Sequence, residues 1–296
     1  MKILRAAAAC LVMIPAAAHA GMPIEVEKTC PVGGETFRHV ETGSYSTFGS
    51  RPDGRPYGSW YFPMPLAECP ENALVMYRNF EEDEIAELTR LVLSDAYQAM
   101  RGETTYYRAS WLEERMQSTA SLAPVFLMMR AAWQVDEAPE IKTRYQTEFA
   151  QRAGNVPVVP DDLDTLFLRF RVANALRETG QFTDAASSLN TIPTASLDVT
   201  VPEPDGDNYN DVRDAEARLF LLSQIEPLHL LIEAGDTSSE PLSMIPPRMA
   251  EYRCYEMAEE DSADLPELCL SDEMQERVAE IRESRSDWRT PDTRPR

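Results

Sequence analysis

Two short turns hold the residues best suited to chemistry, Cys30-Pro31-Val32-Gly33-Gly34 and Cys69-Pro70-Glu71-Asn72-Ala73. A cysteine and a proline in a tight turn form a frame that holds either a metal ion or a disulfide. Gly33 and Asn72 stand where a second sulfur of each turn would be. Four-coordinate zinc needs four donors; Cys30 and Cys69 supply two, His39 offers a third, and no fourth is evident, so no metal site is assigned. No Gly-x-Ser-x-Gly elbow, His-Glu-x-x-His pair or phosphate-cradling glycine loop occurs. His229 lies in the apolar run 228–232, the setting of a half-buried helical histidine rather than a catalytic base. With 50 acidic residues in the chain, neighbours such as Glu113-Glu114 or Glu259-Glu260 carry no information towards a glycosidase. Asp205, Asp207, Asn208 and Asp211 suggest calcium, but no glycine holds the sixth position of an EF-hand loop, and a solvated acidic loop is the better reading. No catalytic residue and no cofactor is assigned.

The compartment decides what the cysteines do. Lys2 and Arg5 precede an apolar run from Ala6 to Ala18, and Ala18-His19-Ala20 has the small-x-small pattern of a signal peptidase site, which predicts cleavage near Ala20-Gly21. The run is too short to span ~30 Å of hydrocarbon and contains Pro15. An exported protein, periplasmic or secreted, is expected. Cleavage would remove Cys10 and leave Cys30, Cys69, Cys254 and Cys269, an even set in an oxidising compartment. Four cysteines allow three pairings, and their order along the chain favours Cys30 with Cys69 and Cys254 with Cys269. The net charge of −22 becomes −24 without Lys2 and Arg5. That field disfavours nucleic acid and anionic lipid as partners, and no later stretch is apolar enough to span a membrane.

The elements that position these residues change character near residue 80. Residues 21–80 read as short strands and turns, with Phe37–Val40, Tyr45–Phe48 and Trp60–Phe62 as extended segments and Arg51-Pro52-Asp53-Gly54-Arg55-Pro56 as a turn. So short a unit needs a covalent staple. From residue 81 the apolar spacing becomes helical. Helices are expected over about Glu82–Met100, Thr105–Gln117, from Ser121 through Trp133, over Pro139–Arg152, and from an Asp161 or Asp162 cap onward. A helix from Asp211 is expected to kink or break at Pro227. Two more carry Met249–Cys254 and Met274–Ile281, with Cys254 and Cys269 bracketing the turn between them. The expected organisation is 1–20 signal peptide, 21–80 knuckle unit, 81–193 helical domain, 194–285 further helices packed on it, and 286–296 a flexible tail.

The two cysteine turns, with Arg51-Pro52 between them and Tyr77 after them, resemble an uncharacterised bacterial family with an N-terminal zinc-ribbon-like double knuckle and a tetratricopeptide-like body. The segment from Ala175 to Ala185 resembles a tetratricopeptide turn, in which Gly180 permits the sharp turn, Phe182 packs into the helix pair and Ala185 lets the helices approach. The resemblance implies a mostly α fold, a small β- and turn-rich unit followed by an antiparallel helix array. It also implies that a Cys30–Cys69 disulfide replaces the family's metal. The function expected is non-catalytic binding of a protein or peptide in the cell envelope, with Tyr107, Trp111 and Trp133 as candidate groove residues. A carboxylate-dependent envelope hydrolase or a residual metal-binding protein are the alternatives. Oligomeric state is not legible.

Overall fold

The computed structural model describes residues 21–116, 121–260 and 265–289, with side chains described to residue 285. The expected signal peptide and most of the expected tail lie outside the described residues. The chain is mostly helical, with small antiparallel strand pairs near its N-terminus. Strands β1 (Met22–Thr29) and β2 (Thr36–Ser44) form an arm. β3 (Thr47–Ser50) pairs with β4 (Pro56–Gly58), and β5 (Ala67–Glu68) with β6 (Val75–Met76). Residues 60–62, expected to be extended, fall in no strand.

The two cysteine turns sit at the ends of β1 and β5 and have one geometry. In the first, Cys30 N–H donates to Glu35 O (2.8 Å) and Gly34 N–H to Cys30 O (3.1 Å); in the second, Cys69 N–H donates to Leu74 O and Ala73 N–H to Cys69 O, each at 2.9 Å. The matching positions Gly34 and Ala73 both have positive φ, 76° and 61°. Asn72 replaces the missing sulfur chemistry with a hydrogen bond: its Nδ2 donates to Val32 O at 2.6 Å in the opposite turn. Cys30 and Cys69 form a disulfide, as do Cys254 and Cys269.

Eleven helices follow among the described residues. The expected helix over 82–100 is instead a short 3-10 turn, then α1 (Ile85–Val92) and α2 (Asp95–Gln98). Ser94 breaks it by accepting from Tyr97 N–H as an N-cap. Leu88, Leu91, Val92 and Tyr97 then pack under the cysteine turns as one core. α3 (Thr105–Met116), α4 (Ala123–Gln134), α5 (Pro139–Gly154) and α6 (Leu163–Glu178) pack each on the next around a second core that includes Met128, Trp133, Tyr145 and Phe149.

α6 and α7 (Phe182–Leu189) make a tight hairpin. Gly180 takes φ 76° at its turn, a conformation in which a Cβ is disfavoured. α8 (Tyr209–Glu233) closes over α6 and α7 and runs unbroken through Pro227. The break expected there is absent because Leu221, Leu228 and Ile232 are all buried in one core, which holds both halves in register although proline removes an N–H. α9 (Pro247–Glu259), α10 (Glu267–Leu270) and α11 (Asp272–Arg289) finish the chain around the second disulfide. Among the described residues no helix is long and apolar enough to cross a membrane.

Candidate functional site

The turn between β3 and β4 points into the helical body instead of out to water. Pro52 and Gly54 shape it, with Arg51 N–H and Gly54 N–H bonded across to Arg55 O and Arg51 O, each at 2.9 Å. Asp53 braces it by accepting from Arg55 N–H at 2.9 Å. Arg51 and Asp53 are buried, and their charges are matched by groups far along the chain. The Arg51 guanidinium binds Asp53 and donates to Asp136 at 2.6 Å. Asp136, at the start of the α4–α5 connection, also meets Arg55 and lies 2.7 Å from Lys142 Nζ on α5. Lys142 donates to Ser239 Oγ at 2.7 Å and lies 3.4 Å from Glu178. Glu178 accepts from Gln146 and Asn174, each at 2.7 Å.

Arg177, fully buried, donates to Asn174 Oδ1 (2.9 Å) and to the carbonyls of Asp236 and Ser238 (2.7 Å each). Tyr57 donates to Glu240, which also binds Arg253 on α9. One polar network therefore joins the strand unit, the helix array and α9.

The field in this network is strong. Burial disfavours charge on both Arg51 and Asp136, yet the ion pairs win: Asp53 first and then Asp136 raise Arg51, and Arg51 with Lys142 holds the Asp136 carboxyl at about 2. Glu178 goes the other way, raised first by burial and then by Asp53. An acid held below its ordinary range stabilises the fold above that range and loses the contribution as pH falls. From its ordinary 3.8 to about 2, Asp136 contributes about 2 kcal/mol, complete above pH ~4 and lost towards pH ~2. Asp136→Asn is expected to flatten the urea midpoint between pH 5 and pH 2 relative to the parent chain; an unchanged acid limb would count against this assignment. Glu178 works oppositely, holding its proton more tightly when folded, so its contribution falls as pH rises above the ordinary carboxyl range.

A carboxylate hydrolase would need a cleft holding two acids, one of them raised. Glu178 is raised, but its side chain is 2% exposed and both its oxygens accept hydrogen bonds. It lines none of the cavities described here.

Two cavities flank the inserted turn, and Arg171 of α6 lies between them. The first, about 360 Å³, is walled by Phe48, Phe167, Phe170, Phe220, Met244 and Pro246. The second, about 660 Å³, lies among the strand unit, α3, α4 and α6, with Phe62, Met64, Phe126, Met129, Trp133 and Arg130 on its wall. The Arg171 guanidinium is 5.5 Å from the Phe167 ring centre and 6.0 Å from that of Phe126. A Cβ on Gly54, whose φ is 85°, would come 2.8 Å from Arg171 Nε. Glycine is required there both for the turn and for this approach.

The candidate groove residues do not line one cavity, although Tyr107 and Trp133 pack on the same core. Trp133 lines the second cavity. Tyr107 stacks on Tyr145 with ring centres 4.8 Å apart and donates to Glu148. Trp111 packs against Tyr97 beneath the cysteine turns, with the Arg115 guanidinium 3.9 Å above its ring. Phe182 packs in the α6–α8 core beside the fully buried Ala185, and Gly180 makes the turn. At the cysteine turns, Glu35 lies within 4.8 Å of both sulfurs, but those sulfurs bond each other and offer no thiolate while the disulfide stands. His39 pairs opposite Val26 on β2 and His229 bonds Asn190 at 3.0 Å, so neither joins a ligand set among the described residues. The acidic loop is self-contained, Asp205 Oδ1 accepting from Asp207 and Asn208 N–H. Sequence reasoning placed the turn at Arg51–Pro56 but missed its insertion into the helical body, and it missed Arg171; the only signal for the insertion was two prolines and two arginines around Asp53-Gly54. No family model, curated protein or solved structure matches this chain.

Proposed function

We propose that this chain is an exported, non-catalytic binding protein of the cell envelope that takes a protein or peptide partner. The observation that carries the reading is the pair of cavities beside the inserted turn, in which aromatic rings and methionines stand beside a small number of charged side chains, the composition of a binding pocket. The two disulfides and the predicted signal peptide support export to an oxidising compartment. The α6–α7 hairpin with Gly180 at its turn supports a tetratricopeptide-like body, a fold type that presents concave faces to peptides. The chain's own Arg51–Arg55 turn lies between the two cavities, so the proposed site is a pair of pockets beside a plug.

The test is selection of a displayed random-peptide library on the disulfide-bonded protein lacking residues 1–20. A shared consensus is expected, binding at about 1–100 µM, the range of groove-type peptide recognition with modest buried area. The absence of any consensus, or binding abolished by ordinary salt, would end this reading.

A further inference from the structure

Most guanidinium groups of this acidic chain have an acceptor beside them. Arg171 and Arg130 do not: among the described residues neither forms a hydrogen bond or an ion pair, although both line the second cavity. Burial is the largest influence on Arg171 and disfavours its charge; Asp53 comes next and favours it, then Arg130 disfavours it and Asp164 favours it. Both guanidiniums, one on α4 and one on α6, line a single cavity with no hydrogen-bonded acceptor, so an anion entering that cavity meets both charges. Apart from Asp164, the rest of the wall is apolar or aromatic. Trp133 completes it and keeps its indole N–H buried without an acceptor.

Three features fix the class of anion. The net charge of −22 and the exposed Asp164 on the same wall disfavour a dianion such as a phosphate. A monoanion carrying an apolar group satisfies both the guanidiniums and the rings. About 660 Å³ is room for a terminal residue and its neighbour rather than for a folded partner. We propose that this cavity binds the C-terminal residue of a peptide, its carboxylate accepting from Arg171 and Arg130 and its apolar or aromatic side chain resting against Phe126, Phe62 and Met129. This deepens the binding reading above and rests on it.

The probes are N-acetyl-phenylalanine and N-acetyl-phenylalaninamide, titrated into protein carrying 13C-methyl methionine. Met64 and Met129 line this cavity and Met244 the other, so each reports separately. The acid is expected to shift Met64 and Met129 and to bind about tenfold more tightly than the amide, the usual gain from a charge-assisted pair. Arg130→Met, an exposed site that leaves the fold intact, and Arg171→Lys should each remove most of that preference. Asp164→Asn, also exposed, should tighten the acid about two- to threefold and leave the amide unchanged. Equal binding of acid and amide, a preference that survives both arginine changes, or shifts confined to Met244 would overturn the proposal. A blocked peptide with an internal glutamate binding better than the free acid would overturn the assignment to a C-terminus. Peptides selected from a library whose binding ignores C-terminal amidation would sink this inference and leave the broader reading standing.

Discussion

Arg51→Ala is expected to destabilise the protein by about 3–5 kcal/mol, the cost of breaking a buried ion network on one side only. The Arg51 side chain is 4% exposed and faces Asp53 and Asp136. Its loss leaves two carboxylates in a closed site with Lys142 and Arg55 to serve them. Asp136→Asn alone strands charge in the opposite sense, leaving Arg51, Arg55 and Lys142 crowded together. Removing both partners is therefore expected to be milder than the two losses summed, with a coupling energy of about 1–3 kcal/mol in a double-mutant cycle. Chemical unfolding monitored by far-UV circular dichroism gives all four corners. A cost for Arg51→Ala below about 1 kcal/mol, with additive singles, would mean that the turn is not anchored as described.

The network also shows why part of this fold was legible in the sequence and part was not. Local signals were reliable. Asp162 caps α6 by accepting from Asp164 N–H, Gly180 takes the left-handed turn, and the four cysteines pair in chain order. Each depends on a few neighbouring residues or on counting. The break at Ser94 was readable in kind, because a serine before Asp95 is a strong N-cap, but the apolar spacing of Leu91, Val92, Ala96 and Tyr97 ran across it. The passage of α8 through Pro227 was not readable, since it rests on burial of Leu221 and Leu228 against partners elsewhere.

Least legible was the site. Arg51-Pro52-Asp53-Gly54-Arg55 has the composition of a solvent turn, and solvent is where such a turn belongs unless distant groups neutralise it. Its partners are 81 to 85 residues away at Asp136, and Tyr57 reaches Glu240 across 183. Arg171 is hidden for the converse reason. One arginine within an apolar helix face reads as a snorkelling surface residue, and only the tertiary fold shows that rings and a glycine turn enclose it.

Removing the Cys30–Cys69 bridge is expected to have the second large effect. The two cysteines are 39 residues apart, so the bridge restricts the unfolded chain by about 4 kcal/mol in the chain-entropy model, against about 3 kcal/mol for Cys254–Cys269 with a separation of 15. The segment it closes contains β1's partner strand and the whole Arg51–Arg55 turn. Because its ends are pinned over the Leu88–Tyr97 core, the chain loses less entropy when that turn enters the helical body. The bridge and the ion network are thus coupled through one loop, although Arg51 touches neither cysteine.

Cys30→Ser with Cys69→Ser should lower the unfolding midpoint more than Cys254→Ser with Cys269→Ser, and should open the 31–68 segment to limited proteolysis before α3–α8. In that background Arg51→Ala should destabilise by at least about 1 kcal/mol less than in the parent, since the turn has already lost part of its anchorage. Equal proteolytic protection with and without the bridge, or a full Arg51→Ala penalty in its absence, would separate the two devices and show that the ion network alone seats the turn.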